Sequence, residues 1–244
     1  MEWYQRWFGE DYLLVYEHRD TAEAERDVAA VVEVLGLEAG DMVLDLCCGS
    51  GRHDFPFAKR GLRIVGLDYS AELLAVANES RTGDRYPQFV RGDARKLPFA
   101  EGSFDAVVNM FTSFGYFCDE ENCGLLCSMA AMLRHGGGFY IDYLNPSHVL
   151  ETLVPCTTRE IKGVAIEERR TYDTDSRRVE KCIRLERGGE SKEYTESVRL
   201  YSLDEMKAIL GDAGLECKGI LGSSGLEQYD ESRSPRMILF GIKS

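Results

Sequence analysis

The sequence lacks the patterns that would tie it to a metal or anchor it in a membrane. Its eight cysteines (Cys47, Cys48, Cys118, Cys123, Cys127, Cys156, Cys182 and Cys217) include no C-x2-C pair. Its four histidines (His18, His53, His135 and His148) keep no ligand spacing, so no bound metal is expected. No run of ~18 apolar residues exists to span a bilayer. The chain opens Met-Glu-Trp-Tyr-Gln-Arg, without a basic start before an apolar stretch, which predicts no signal peptide. These absences predict a cytoplasmic protein with reduced thiols and no membrane partner. Positive charge is also in deficit: 29 Lys and Arg stand against 42 Asp and Glu, a net charge of −13. Such a chain is a poor polyanion binder, and no nucleic acid is expected as a partner.

What is present suits a globular protein. The chain has 244 residues, 44% hydrophobic and 29% charged, enough to bury a core and too apolar for disorder. No internal repeat or linker divides it. A helix is predicted from Asp20, with Val28, Val31, Val32 and Leu35 on one stripe and Gly36 as its stop. Short apolar runs follow at Met42–Leu46, Leu62–Leu67, Phe89–Val90, Phe104–Met110 and Phe139–Tyr143. Helices alternate with them, one capped by Ser70 and one carrying Leu125, Leu126, Met129, Met132 and Leu133. Gly136-Gly137-Gly138 resets the chain before the fifth run. This alternation argues for an open parallel sheet with helices on both faces.

Residues 156–200 change period. Val179, Ile183 and Leu185 share one parity, broken by Lys181; Tyr194, Val198 and Leu200 share another, broken by Glu196. With turns at Asp173–Ser176 and Gly188-Gly189, this is a small antiparallel unit. A capping box at Ser202–Glu205 then opens a helix, and strands near Leu215–Leu221 and Pro235–Ile242 finish the chain.

The strongest chemical signal is Asp45-Leu46-Cys47-Cys48-Gly49-Ser50-Gly51-Arg52, a buried strand running through two glycines into a helix. Glycines there let backbone approach a ligand, and the helix start offers free amides. A dinucleotide fingerprint would place a third glycine where Asp54 stands, and a carboxylate would repel a pyrophosphate. That disfavours a nicotinamide-dependent oxidoreductase and leaves a nucleoside with no phosphate at its far end. Asp68, ending the second strand, is placed to accept from both ribose hydroxyls, and Asp93, ending the third, to meet an adenine edge.

Together these residues resemble the class I S-adenosylmethionine-dependent methyltransferases. Asp45–Gly51 looks like the family's first motif, along the methionine part and ribose, with Cys47 standing where a glycine is usual. Leu67-Asp68-Tyr69-Ser70 resembles the second, Arg91-Gly92-Asp93-Ala94 the third, and Phe104–Met110 the fourth. The resemblance implies an open, mostly parallel seven-stranded sheet with helices on both faces, the Rossmann-like methyltransferase fold, plus the antiparallel insertion. It implies S-adenosyl-L-methionine as cofactor, held by Asp45, Cys47, Gly49, Ser50, Gly51, Asp68, Tyr69, Asp93, Ala94 and Asn109.

The insertion, the segment Asn109–Tyr116 and the aromatic start are similar to small-molecule methyltransferases, including sugar N,N-dimethyltransferases. That similarity divides the chain into a lid (1–20), a cofactor-binding domain (21–150 and 201–244) and an inserted β unit (151–200). Tyr4, Trp7, Tyr12, Tyr16 and Arg19 become candidates to close the site. Arg19 has two partners open to it, the cofactor carboxylate or Glu23 four residues on. His18 and Tyr143 are the candidate catalytic groups, with Asp142 as a further base. Tyr12, Tyr16, Tyr116 and Tyr143 are expected to line the acceptor pocket. The chain lacks the Asn/Asp-Pro-Pro-aromatic motif of many amide and RNA methyltransferases, showing Asn109-Met110-Phe111-Thr112 instead. With the acidic charge, this favours methyl transfer to an amine or hydroxyl of a small metabolite. A protein that binds the cofactor without turnover is the alternative.

Overall fold

A computed structural model describes residues 2–17, 21–82 and 85–244. Two short helices, α1 (Tyr4–Trp7) and α2 (Glu10–Val15), precede α3 (Thr21–Leu35), which buries Val28 and Val31. Then come β1 (Met42–Leu46), α4 (Asp54–Lys59), β2 (Arg63–Asp68), α5 (Ala71–Glu79), β3 (Gln88–Arg91) and β4 (Phe104–Asn109). They are followed by α6 (Asp119–Met132), β5 (Leu133–Leu144) and α7 (Pro146–Thr152). A second set of strands, β6 (Cys156–Ile161), β7 (Val164–Asp173), β8 (Arg178–Arg187) and β9 (Glu190–Arg199), interrupts the first. The chain closes with α8 (Leu203–Asp212), β10 (Leu215–Leu221) and β11 (Arg236–Lys243).

Among the described residues these strands make two sheets. One has seven strands in the order β10-β11-β5-β4-β1-β2-β3, all parallel except β11, which runs antiparallel to both neighbours. The other is the antiparallel meander β6-β7-β8-β9. β1 and β2 are buried along almost their whole length, as strands covered on both faces must be. Leu44, Leu46 and Val107 face one apolar cluster with Leu126, Met129, Met206 and Leu210 of α6 and α8. Val43, Ile64 and Val108, of opposite parity, face another with Val28 and Val31 of α3.

The triglycine does not end a helix and restart a strand. β5 begins at Leu133 and runs through it, with a bulge between the Phe104–Leu133 and Ala106–Gly138 pairings. Gly136 takes a left-handed φ of +73°, and a Cβ on Gly137 would come within 2.9 Å of the Arg134 carbonyl oxygen. The extra residues need glycine because the chain folds back on itself there.

The N-terminal helices mount on the second sheet. Trp7 and Val15 pack with Val164, Ile166, Ile183 and Leu185, a small core separate from the two above. The breaks in alternation are explained by the same sheet. Lys181 and Glu196 are directly paired across β8 and β9, and their charged groups lie 2.5 Å apart on this inner side.

The capping box at α8 is complete. Glu205 N–H donates to the Ser202 hydroxyl at 3.2 Å, and Ser202 N–H donates to the Glu205 carboxylate at 2.9 Å. Ser202→Ala should therefore cost about 1 kcal/mol, read as a lower urea midpoint at unchanged slope. An unmoved midpoint would show that Arg199 and Arg177, which also reach Glu205, hold this helix end alone.

Candidate active site

The order of strands reverses at β1, from which the chain runs out through β2 and β3 before crossing to β4. Ligands of open α/β sheets bind at the carboxyl ends of strands beside such a point. There the loop after β1 doubles over the end of β2. Cys47 and Cys48 N–H both donate to the Leu67 carbonyl, at 2.7 and 3.1 Å. Cys47, Gly49 and Gly51 all take positive φ, 65°, 58° and 76°. Gly51 has no alternative, because a Cβ would lie 2.7 Å from the Phe89 ring.

Asp68 fastens this loop. Its carboxylate accepts from Gly49 N–H and from Ser70 N–H, both at 2.8 Å. Ser70 in turn caps α5 and donates to the Phe8 carbonyl at 2.6 Å, tying the N-terminal segment to the strand end. Between loop, strand ends and N-terminal helices lies a cavity of about 300 Å³. Gly49, Ser50, Asp68, Tyr69 and Ala94 line it, with Tyr4 and Phe117 on the far side.

Burial sets the electrostatics here. Asp45 and Asp54 are neighbouring, fully buried carboxyls, and burial pushes both up, Asp54 to about 8. For Asp45 the nearby Asp54 and Asp68 charges push in the same direction. Burial also raises the Cys47 and Cys48 thiols far above their usual range, which removes thiolate chemistry. His53 Nε2 donates to the Asp27 carboxylate at 3.2 Å, yet burial holds it below the ordinary histidine value. Arg52 bonds Glu23 at 2.9 Å through Nη1, while its buried Nη2 has no hydrogen-bond partner among the described residues.

A second cavity of about 330 Å³ opens beside the first. Phe8, Tyr12, Tyr16, Phe111 and Tyr116 line both and form the wall between them. Phe8 stacks on Tyr116 at 6.0 Å, and Tyr12 packs against Tyr16 at 4.8 Å between centroids. The far side of the second cavity comes from the meander and the edge of the main sheet: Val179, Lys181, Glu196, Val198 and Arg170, with Arg236. Glu196 accepts from Trp7 Nε1 at 2.7 Å and from the Tyr16 hydroxyl at 2.8 Å, besides pairing with Lys181.

The structure brings most sequence-predicted residues to these cavities, but not all. Asp45, Cys47, Gly49, Ser50, Asp68, Tyr69, Asp93 and Ala94 line the first, and Tyr12, Tyr16 and Tyr116 line both. Gly51 shapes the loop beneath. Tyr143 needs correcting: it is fully buried among Phe114 and Tyr201, its hydroxyl donating to the Arg199 carbonyl and accepting from Tyr201 N–H. Burial pushes its phenol well up, so it is neither a base nor a pocket group. Asn109 is also wholly buried, donating to the Leu46 carbonyl at 3.0 Å rather than facing the cavity. Asp142 is occupied by Arg236 at 2.6 Å and Phe111 N–H at 3.0 Å. Asp93 is held by Arg95, at 2.7 Å from Nη2, which keeps its carboxyl below the usual range. His18 and Arg19 lie outside the described residues. Asp54 does not face the cavity at all; its Oδ1 sits where a Cβ on Gly66 would come within 2.7 Å, so the expected clash with a pyrophosphate does not operate.

Sequence reasoning missed Phe8, Arg52, Phe111, Arg170 and Arg236. The breaks in alternation at Lys181 and Glu196 were the available signal for the second cavity. Arg170 and Arg236 look like ordinary strand charges and gave none.

Residues 43–137 match a family model described as a methyltransferase domain. That match is to a methyltransferase domain and spans the loop after β1 and the ends of β1 to β4. Among curated relatives, the demethylmenaquinone methyltransferase of Renibacterium salmoninarum is 38% identical over 118 residues, 48% of this chain and 47% of that protein. The cypemycin N-terminal methyltransferase of Streptomyces sp is 28% identical over 206 residues, 82% of each chain. The chain spans about half or less of the length of the first curated relatives it matches. The CcbJ methyltransferase from Streptomyces caelestis shares the fold across 97% of both chains, with a TM-score of 0.81 at 23% identity.

S-adenosylmethionine, the cofactor that the sequence resemblance implies, fits the residues of the first cavity. The Tyr4 hydroxyl and Arg52 Nη2 are buried polar atoms at the first cavity without hydrogen-bond partners among the described residues. They suit an amino-acid part and a nucleoside between them. The buried Asp54 carboxyl predicts a stability profile of definite sign. The folded state holds this proton more tightly than the unfolded chain, whose carboxyl titrates near ~4. Stability is thus full below that pH and is lost as pH rises toward about 8. Asp54→Asn should melt above the wild type at pH 8, with the gap shrinking at pH 5. A gap equal at both pH values would contradict it.

Proposed function

We propose that this methyltransferase domain transfers a methyl group from S-adenosylmethionine to an amine of a small metabolite held in the second cavity. The observation that carries this is the shared aromatic wall, which sets a second cavity directly against the cofactor cavity. A protein that only held the cofactor would have no use for it. When bound, the cofactor supplies a methyl on a sulfonium sulfur, an electrophile that needs alignment rather than activation.

The chain's own groups do the holding. Asp68 would hold the ribose, and Tyr69, Ala94 and Asp93 would hold the base. Arg52 would hold the carboxylate through Nη2. Phe8, Tyr12, Tyr16 and Tyr116 exclude water from the junction and orient the acceptor. Residues 1–20 then act as a lid and 151–200 as the cover of the acceptor side. An amine is favoured over a hydroxyl because the carboxylates nearby are engaged. Glu196 already accepts from Trp7, Tyr16 and Lys181, and Asp142 from Arg236 and Phe111. A neutral amine needs no strong base, whereas a hydroxyl does. The name of the Streptomyces relative, an N-terminal methyltransferase, agrees with this.

No helix among the described residues is long and apolar enough to cross a membrane. A cytoplasmic enzyme that does not bind nucleic acid accords with eight unpaired cysteines and the charge of −13.

Calorimetry with S-adenosylhomocysteine tests the cofactor assignment. Asp68→Ala should weaken binding by about 2 kcal/mol, roughly thirtyfold, the range for hydrogen bonds to a charged group. Unchanged affinity would remove Asp68 from the site.

A further inference from the structure

The second cavity carries an unusual charge for this protein. In a chain of net −13, its lining contributes three cations, Arg170, Lys181 and Arg236, and one carboxylate, Glu196. Behind them stand Glu168, 3% exposed, and Asp142. Glu168 takes both Arg170, at 2.6 Å, and Arg159, at 3.2 Å. Burial alone would raise its carboxyl, but Lys181, Arg159 and Arg170 outweigh that and keep it ionised. Glu196 is spent on Lys181 and Asp142 on Arg236. Glu168 is thus shared between Arg170 of the lining and Arg159 outside it, so three carboxylates serve four cations and the guanidiniums of the cavity are only partly neutralised.

Stability does not call for this arrangement. Buried ion pairs are often matched or bettered by apolar residues of similar volume, and Lys181 and Glu196 interrupt two otherwise apolar faces. Nor is the basic end closed off from a ligand. Arg236 Nε bonds Asp142 and its Nη2 the Thr112 hydroxyl, but its Nη1 has no hydrogen-bond partner among the described residues. Its guanidinium lies 5.7 Å from the centroid of Phe111, one of the wall rings facing the cofactor cavity.

We propose that the second cavity recognises an oxyanion on the acceptor, a carboxylate or a phosphate ester, with Arg236 and Arg170 as its specificity-determining residues. The inference rests on the methyltransferase reading and narrows its substrate class to acidic amines. A guanidinium suits this role because it stays charged and has donors to spare: Arg236 Nη1 can donate to an oxyanion oxygen while Nε and Nη2 hold Asp142 and Thr112. The anion then completes the partial neutralisation of these guanidiniums, while the wall rings hold the amine end toward the methyl. A neutral or cationic amine would leave the Arg236 Nη1 donors without an acceptor, which is a penalty against the wrong substrate.

The test incubates the full chain with methyl-labelled S-adenosylmethionine and a small-molecule extract of bacterial cells, then separates products on an anion exchanger. Label should appear in retained compounds; phosphatase treatment that abolishes retention identifies a phosphate ester, and insensitivity a carboxylate. Arg236→Gln should reduce labelling of the retained compound by roughly thirtyfold or more, the scale for losing one partner of a buried charge pair. Arg236→Lys should lose less. Both variants should bind S-adenosylhomocysteine as the wild type does, and Arg170→Gln gives a second reading if either fails to fold. Label only in unretained compounds, or full labelling by the Arg236→Gln and Arg170→Gln proteins, would overturn the proposal. If the wild type failed to bind S-adenosylhomocysteine, the methyltransferase reading would fall, and this one with it.

Discussion

The carboxylate of Glu196 holds the site together. It gathers the Trp7 indole, the Tyr16 hydroxyl and the Lys181 ammonium, and so joins the N-terminal helices to the inserted meander. A charge removed from water is costly unless paired and hydrogen-bonded, and this one has three donors. The consequence is geometric. Because Trp7 and Tyr16 are fixed to β9, the rings of Phe8, Tyr12 and Tyr16 form a wall rather than a loose flap. That wall separates the two cavities and belongs to both.

A second carboxylate, Asp68, does the matching work on the main sheet. It binds the glycine loop after β1 to the end of β2, and Ser70 carries the connection on to Phe8. The N-terminal segment is therefore fastened at two points, one on each sheet. The left-handed Cys47, a conformation costing a side-chain-bearing residue about 1 kcal/mol or more, is tolerated because both flanking amides bond Leu67. Phe111 and Thr112 share this conformation at the end of β4, so backbone strain collects around the cavities.

Much of this was legible in the residues. Buried parallel strands appear as apolar runs, and β1, β2 and β4 fall where those runs lie. The insertion was legible through its alternation, and its two exceptions marked the ion pair at the second cavity. Position along the chain was less informative about direction. Tyr143 lies within β5 rather than beyond its end, shares parity with Phe139 and Ile141, and turns into the core beneath α6 and α8. Asn109 likewise ends its strand yet reaches sideways to Leu46. The helices α1 and α2 are too short to show a periodic stripe, and their burial depends on strands more than a hundred residues away. Arg170 and Arg236 became site residues only when two sheets met, which no local pattern records.

Hydrogen exchange of the whole chain with and without S-adenosylhomocysteine tests the two-cavity account most directly. Slowed exchange is predicted at the loop amides of Cys47–Gly51, at Tyr69 and Ser70, and together with them in the helices Tyr4–Trp7 and Glu10–Val15, because the wall and the loop enclose one ligand. Binding that protects the glycine loop while leaving both N-terminal helices unchanged would contradict it.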